Sequence, residues 1–168
     1  MSLTQDQLTT LQANILTSPD MTTIPNTDDG AFQIAALYNL RAVPDYWVWK
    51  TALTERDATE PVGPEGTSFS WPQYIARTAG EQNGWNRLFH SGVVNPSLPN
   101  TRQAVADIFS GAQAAPTAQR THLLAAARRQ ASRAEKLFAV GTGTTVSPAA
   151  MGYEGAIRYQ DVLAARAL

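Results

Sequence analysis

Cysteine is absent from the 168-residue chain. Disulfide frameworks, thiolate nucleophiles and Cys-ligated zinc are therefore excluded. Charge is scarce too, with Asp, Glu, Lys and Arg making up 16% of residues against roughly 25% in an ordinary globular protein. The formal net charge is −1, so copies repel one another weakly and self-association meets little electrostatic resistance. No apolar run approaches the roughly 20 residues that span a bilayer. The opening MSLTQDQLTT has neither the basic nor the apolar region of a secretory signal, which predicts a soluble, intracellular product. The two histidines, His90 and His122, have no partners at metal-ligand spacing, and HExxH and EF-hand patterns are missing. Nor is there a G-x-S-x-G elbow. No cofactor, no metal and no enzymatic activity are expected.

What is present is largely helical. Residues 116–140, PTAQRTHLLAAARRQASRAEKLFAV, are rich in strong helix formers and have no internal Gly or Pro after the first position. At about 100° per residue, Leu123, Leu124, Ala127, Ala131, Ala134, Leu137 and Phe138 share one face, and Arg128, Arg129, Arg133 and Lys136 share the opposite one. Gly141 follows as a stop. The pattern predicts one long helix, greasy inward and basic outward. An aspartate at Leu124 should then unfold the domain.

The remaining elements follow from caps and breakers. Thr4 with Gln7 forms a capping-box pattern that starts a helix over 4–17. Asn26-Thr27-Asp28-Asp29 starts a second, running to Asn39. Residues 46–51, YWVWKT, are compatible with a strand or with a helix launched from Pro44-Asp45; Trp47 and Trp49 share a side only in the strand. Core anchoring suits the two tryptophans better than ligand stacking. Thr54 to Asp57 caps a single turn, and EPVGPEGTS (60–68) reads as an exposed loop suited to an adaptable contact or a lid. Short helices are expected around 71–79, around Trp85–Phe89 and from Asn100/Thr101 to Gly111, then over 160–168. Residues around Glu154-Gly155 are compatible with a small β-hairpin. The stretch 141–145, GTGTT, lacks the lysine and the strand-before-helix setting of a phosphate loop, and reads as a helix stop and linker.

Acids concentrate at the start of the chain. Asp6, Asp20, Asp28, Asp29, Asp45, Glu55, Asp57, Glu60 and Glu65 face only Arg41, Lys50 and Arg56 there, whereas the stretch 116–140 carries Glu135 as its one acid. Two opposed patches can pair within one molecule, or head to tail between copies. The basic stripe itself is compatible with a solvated face, with an acidic protein partner, or with weak and salt-sensitive DNA contact.

Residues 129–139 (RQASRAEKLFA), 141–145 (GTGTT), 147–151 (SPAAM), Tyr153-Glu154-Gly155 and Tyr159-Gln160-Asp161-Val162 resemble a group of small proteins from tailed bacteriophages and prophages. The segments 29–31 (DGA), 44–51 (PDYWVWKT) and 95–97 (NPS) are similar to the same group. The resemblance implies a virion structural protein assembled in the host cytoplasm, of the head–tail connector (adaptor or completion) type. It implies a homo-oligomeric ring below the portal, with portal and neck or tail proteins as partners and weak contact with packaged DNA. Another minor virion protein, for tail completion or capsid association, and a DNA-contacting helical module are the alternatives. The expected architecture is mainly α: a helical bundle over 1–140 and a C-terminal linker, hairpin and short helix over 141–168, forming an arm. Partner contacts are expected from Arg128, Arg129, Arg133 and Lys136 on the basic face, and from Tyr153, Tyr159 and Leu168 on the arm.

Overall fold

A computed structural model describes residues 3–62 and 67–168. In chain order the helices begin with α1 (Gln5–Thr17) and α2 (Asp28–Asn39), and strands β1 (Trp47–Trp49) and β2 (Leu53–Thr54) follow. Next come α3 (Glu55–Thr59), α4 (Trp71–Ile75), α5 (Ala79–Leu88), β3 (Val93–Val94) and α6 (Pro99–Ile108). The chain continues through α7 (Ala114–Ala126), β4 (Arg128–Gln130), α8 (Arg133–Phe138) and α9 (Tyr159–Arg166). Helix accounts for 51% of the described residues. Two small two-stranded sheets, β1–β4 and β2–β3, complete the regular structure among the described residues.

Contacts divide the chain into two units. Unit 1 comprises residues 1–46, 130–144 and 149–168, and unit 2 comprises 47–129 and 145–148. Unit 1 gathers α1, α2, α8 and α9 around an aliphatic core of Leu11, Ile15, Met21, Ile34, Ile157 and Val162, with Tyr38. Each such side chain removed from water stabilises by about 1.5–3 kcal/mol. Thr4 accepts from the Gln7 N–H at 3.3 Å, and the Gln7 side chain accepts from the Thr4 N–H at 3.0 Å, as the capping pattern requires. Thr27 caps α2 by accepting from the Gly30 N–H. Gly30 permits the preceding turn to pass close by, because a Cβ there would lie 2.0 Å from the Pro25 carbonyl oxygen.

Unit 2 has an aromatic core instead. Phe69, Trp85, Phe89 and Phe109 pack edge-on and tilted, with ring centroids 4.7–6.1 Å apart, and Leu53, Val94, Ile108 and Leu123 close around them. The indole N–H of buried Trp85 donates to Glu55 at 2.7 Å, which satisfies its polar handle. Strands β2 and β3 pair antiparallel in the register Leu53↔Val94 and Thr54↔Val93. A capping box of Thr78 with Glu81 starts α5, so Gly80, expected to separate two helices, lies inside one.

Three further expectations are corrected. The long helix does not exist: α7 ends at Ala126, Arg128–Gln130 is a strand, and α8 starts afresh at Arg133. In a continuous helix the Ala131 N–H would donate to the Ala127 carbonyl. Here the Ala127 carbonyl accepts from the Lys50 N–H at 2.9 Å, and the Ala131 N–H donates to the Tyr46 carbonyl at 2.8 Å. The expected bundle built on that helix is not shown. The hairpin is also absent, since 151–158 holds no strand. Both backbone groups of Ile157 instead bond the Asn39 side-chain amide, each at 2.9 Å, and the Tyr153 hydroxyl donates to the Ala156 carbonyl. Finally, residues 149–168 are no free arm. They belong to unit 1, where α9 packs on α1 and α2 with Val162 and Ala165 fully buried.

Candidate functional site

The sequence-predicted basic residues divide between the units. Arg133 and Lys136 lie on α8 in unit 1, one turn apart, so they share a side of that helix. Arg133 makes a bidentate pair with Asp20, at 2.5 and 3.2 Å, with both side chains partly exposed. The guanidinium donating to Asp20 holds that carboxyl below its ordinary range. The Lys136 ammonium sits 5.6 Å from the centroid of the Tyr46 ring, and it has no carboxylate partner among the described residues. Tyr46 is itself held by a hydrogen bond to the Gly141 carbonyl at 2.8 Å. Gly143 passes under its ring at φ +66°, where a Cβ would fall 2.1 Å from a ring carbon. The GTGTT stretch thus begins as a bed for Tyr46.

Around Arg133 and Lys136 the surface of unit 1 is hollow. A depression of about 390 Å³ is lined by Asn14, Ser18, Tyr38, Ala42, Val43, Arg133, Lys136 and Leu137. A second, of about 340 Å³, is lined by Asp20, Leu40, Arg41, Val43 and Arg133. They share Val43 and Arg133 and read as one groove with an aliphatic rim, in which Val43 is 86% and Leu40 56% exposed. Its polar wall is ordered: the Tyr38 hydroxyl donates to Asn14 Oδ1 at 2.7 Å. Burial pushes that hydroxyl far above the ordinary tyrosine range, so it stays a neutral donor. Arg41 bonds Asp45 at 2.8 Å beside it.

Unit 2 employs its cations differently. Arg128 lies 5.3 Å from the centroid of the Trp47 ring and donates to the Thr145 carbonyl. Arg102 lies 4.5 Å from the Trp49 ring and donates to the carbonyls of Pro96 and Ser97. The strand places both tryptophans on one side with Val48 fully buried between them, and each half-buried indole carries a guanidinium. Arg129 is half-buried and engaged. A depression of about 250 Å³ beside Arg128 mixes Lys50 with Asp57 and Glu60. The narrow apolar gap beside the aromatic core, about 20 Å³, is little larger than a water site.

Of the three C-terminal residues, Tyr153 is buried against Phe138, with ring centroids 5.5 Å apart. Tyr159 stacks on Phe32 at 4.0 Å. Leu168 stays 55% exposed. The structure brings Arg133 and Lys136 together, and it groups neither Arg128 nor the tyrosines with them. Asp20, Leu40 and Val43 were not singled out as site residues, because the Asp20–Arg133 pair spans 113 residues and no local spacing reports it.

His122 is a satisfied core residue: its Nε2–H faces the Ala58 carbonyl at 2.9 Å, and Nδ1 lies 3.4 Å from the Thr67 hydroxyl. No group of three or more His, Asp or Glu that could hold a metal ion occurs among the described residues. No described helix is long and apolar enough to cross a membrane. The adaptable loop expected at 60–68 falls partly on 63–66, which lie outside the described residues. The chain matches no family model, no curated protein and no solved structure.

Proposed function

We propose that this chain is a virion structural protein of a tailed bacteriophage, a head–tail connector subunit that docks on other proteins in a ring below the portal. The phage assignment rests on the sequence resemblance. The observation that supports a docking role is the unit 1 groove, with exposed Leu40 and Val43 flanking Lys136 and the Arg133–Asp20 pair. Exposed aliphatics beside an ordered polar wall are the composition of a protein-binding surface.

DNA contact is the weaker reading. Arg133 is committed to a carboxylate and Arg128 to a carbonyl and an indole. Few cations remain to neutralise phosphates.

Native mass spectrometry of the chain mixed with a purified tailed-phage portal ring tests the proposal. A stoichiometric complex is expected. A chain that never joins the portal, yet binds duplex DNA with a steep salt dependence, overturns the assignment in favour of the nucleic-acid reading.

A further inference from the structure

Helix α2 carries complementary surfaces at its two ends. At its start Asp28 and Asp29 are both exposed, and neither has an ion-pair partner among the described residues. One turn on, Phe32 is 54% exposed, its ring held in place by stacking on Tyr159. Asp28 and Phe32 are four residues apart and therefore share a side of the helix. Beyond its other end, about 18 Å away at 1.5 Å per residue, lies the groove rimmed by Leu40 and Val43, with the Lys136 ammonium in its wall. One end thus presents two carboxylates beside an aromatic ring. The other presents a hollow of about 390 Å³, edged by Val43, with a cation that no carboxylate among the described residues pairs.

We propose that the occupant of this groove is a second copy of the chain, which inserts Phe32 between Leu40 and Val43 and brings Asp28 and Asp29 to Lys136. The proposal rests on the connector reading and specifies how neighbouring subunits meet. The two surfaces differ and sit at opposite ends of one helix, so the contact is heterologous. A copy whose groove is filled still offers its acidic end, and the association repeats into a ring or an open filament. The contact contains charge at a partly exposed site, so rising salt weakens it. The near-zero net charge of the chain leaves little repulsion for it to overcome.

Sedimentation velocity of the full chain over a concentration series, with native mass spectrometry, tests this. Concentration-dependent oligomers are expected for the wild type. Lys136→Glu, and separately the pair Asp28→Lys and Asp29→Lys, should each move association to about tenfold higher concentration or beyond. Mixing the two variants should restore it, because each then finds a groove of opposite charge. That rescue separates a lost contact from a lost fold, and the circular dichroism of each variant should match the wild type. A wild type that is monomeric at its highest soluble concentration, or variants that associate as it does, overturns the proposal. Retained portal binding in either case leaves the connector reading standing; oligomers without portal binding sink that reading alone.

Discussion

The two units draw on the same run of basic residues and use it in opposite ways. Unit 2 turns Arg128 onto an indole face and a backbone carbonyl, as it does Arg102 of α6, and each guanidinium finishes a local structure. Unit 1 gives Lys136 no carboxylate partner among the described residues and holds Arg133 in a half-exposed pair beside a groove. The cores differ as well. Unit 2 buries interlocking rings around Trp85, and unit 1 packs mainly aliphatic side chains between its helices. Charge count on a stretch of sequence therefore says little about availability. What decides it is whether acceptors already surround a cation, and around Arg128 and Arg102 they do.

Trp85→Ala should have the largest effect, costing about 3–5 kcal/mol, since it empties the centre of the ring cluster. Urea unfolding should show the loss, and a near-wild-type midpoint would mean that unit 2 does not depend on its rings. Gly30→Ala comes next at about 1–3 kcal/mol. Its Cβ meets the Pro25 carbonyl, so the turn into α2 must move, and unchanged thermal unfolding would refute the close approach. Tyr38→Phe removes the bond to Asn14 and should cost about 1 kcal/mol; if the variant is more stable than the wild type, the groove wall is not ordered as described.

The smallest effect concerns Arg133→Met. The pair it breaks is partly exposed and contributes under about 1 kcal/mol. Its pH dependence has a definite sign. Asp20 titrates below its ordinary 3.8 in the folded state, so the stabilisation is present above that value and is lost as pH falls through the lowered one. The stability gap between wild type and variant should be constant near neutrality and close in strong acid. A gap that widens on acidification contradicts the pairing.

Caps were the legible part of this fold. Thr4-x-x-Gln7, Thr27 and Thr54-x-x-Asp57 start helices where the sequence predicts them, because side chain and backbone satisfy one another within four residues. The same rule carried a signal against the long helix, for Ser132-x-x-Glu135 is a capping box and starts α8. Apolar periodicity obscured it. Leu123, Ala127, Ala131 and Ala134 are all buried as the wheel requires, but the first two lie in unit 2 and the others in unit 1. The wheel therefore overstates the role of Leu124, which is only half-buried. An aspartate at Leu123, which is 3% exposed, should destabilise far more. The groove was illegible for a different reason. Its walls come from 14–20, 38–43 and 133–137, and only tertiary packing joins segments so distant in the chain.

Because α9 is the element that closes the cluster around Leu11 and Ile34, the first two helices leave the ribosome long before their covering exists. Residues 47–129 by then have nearly all the partners they need. The order of synthesis thus favours unit 2 as the earlier structure, with α1 and α2 left greasy and unsheltered until the last segment arrives. A stop codon or protease cut near 148 would strand them in that condition, far from the site of the damage.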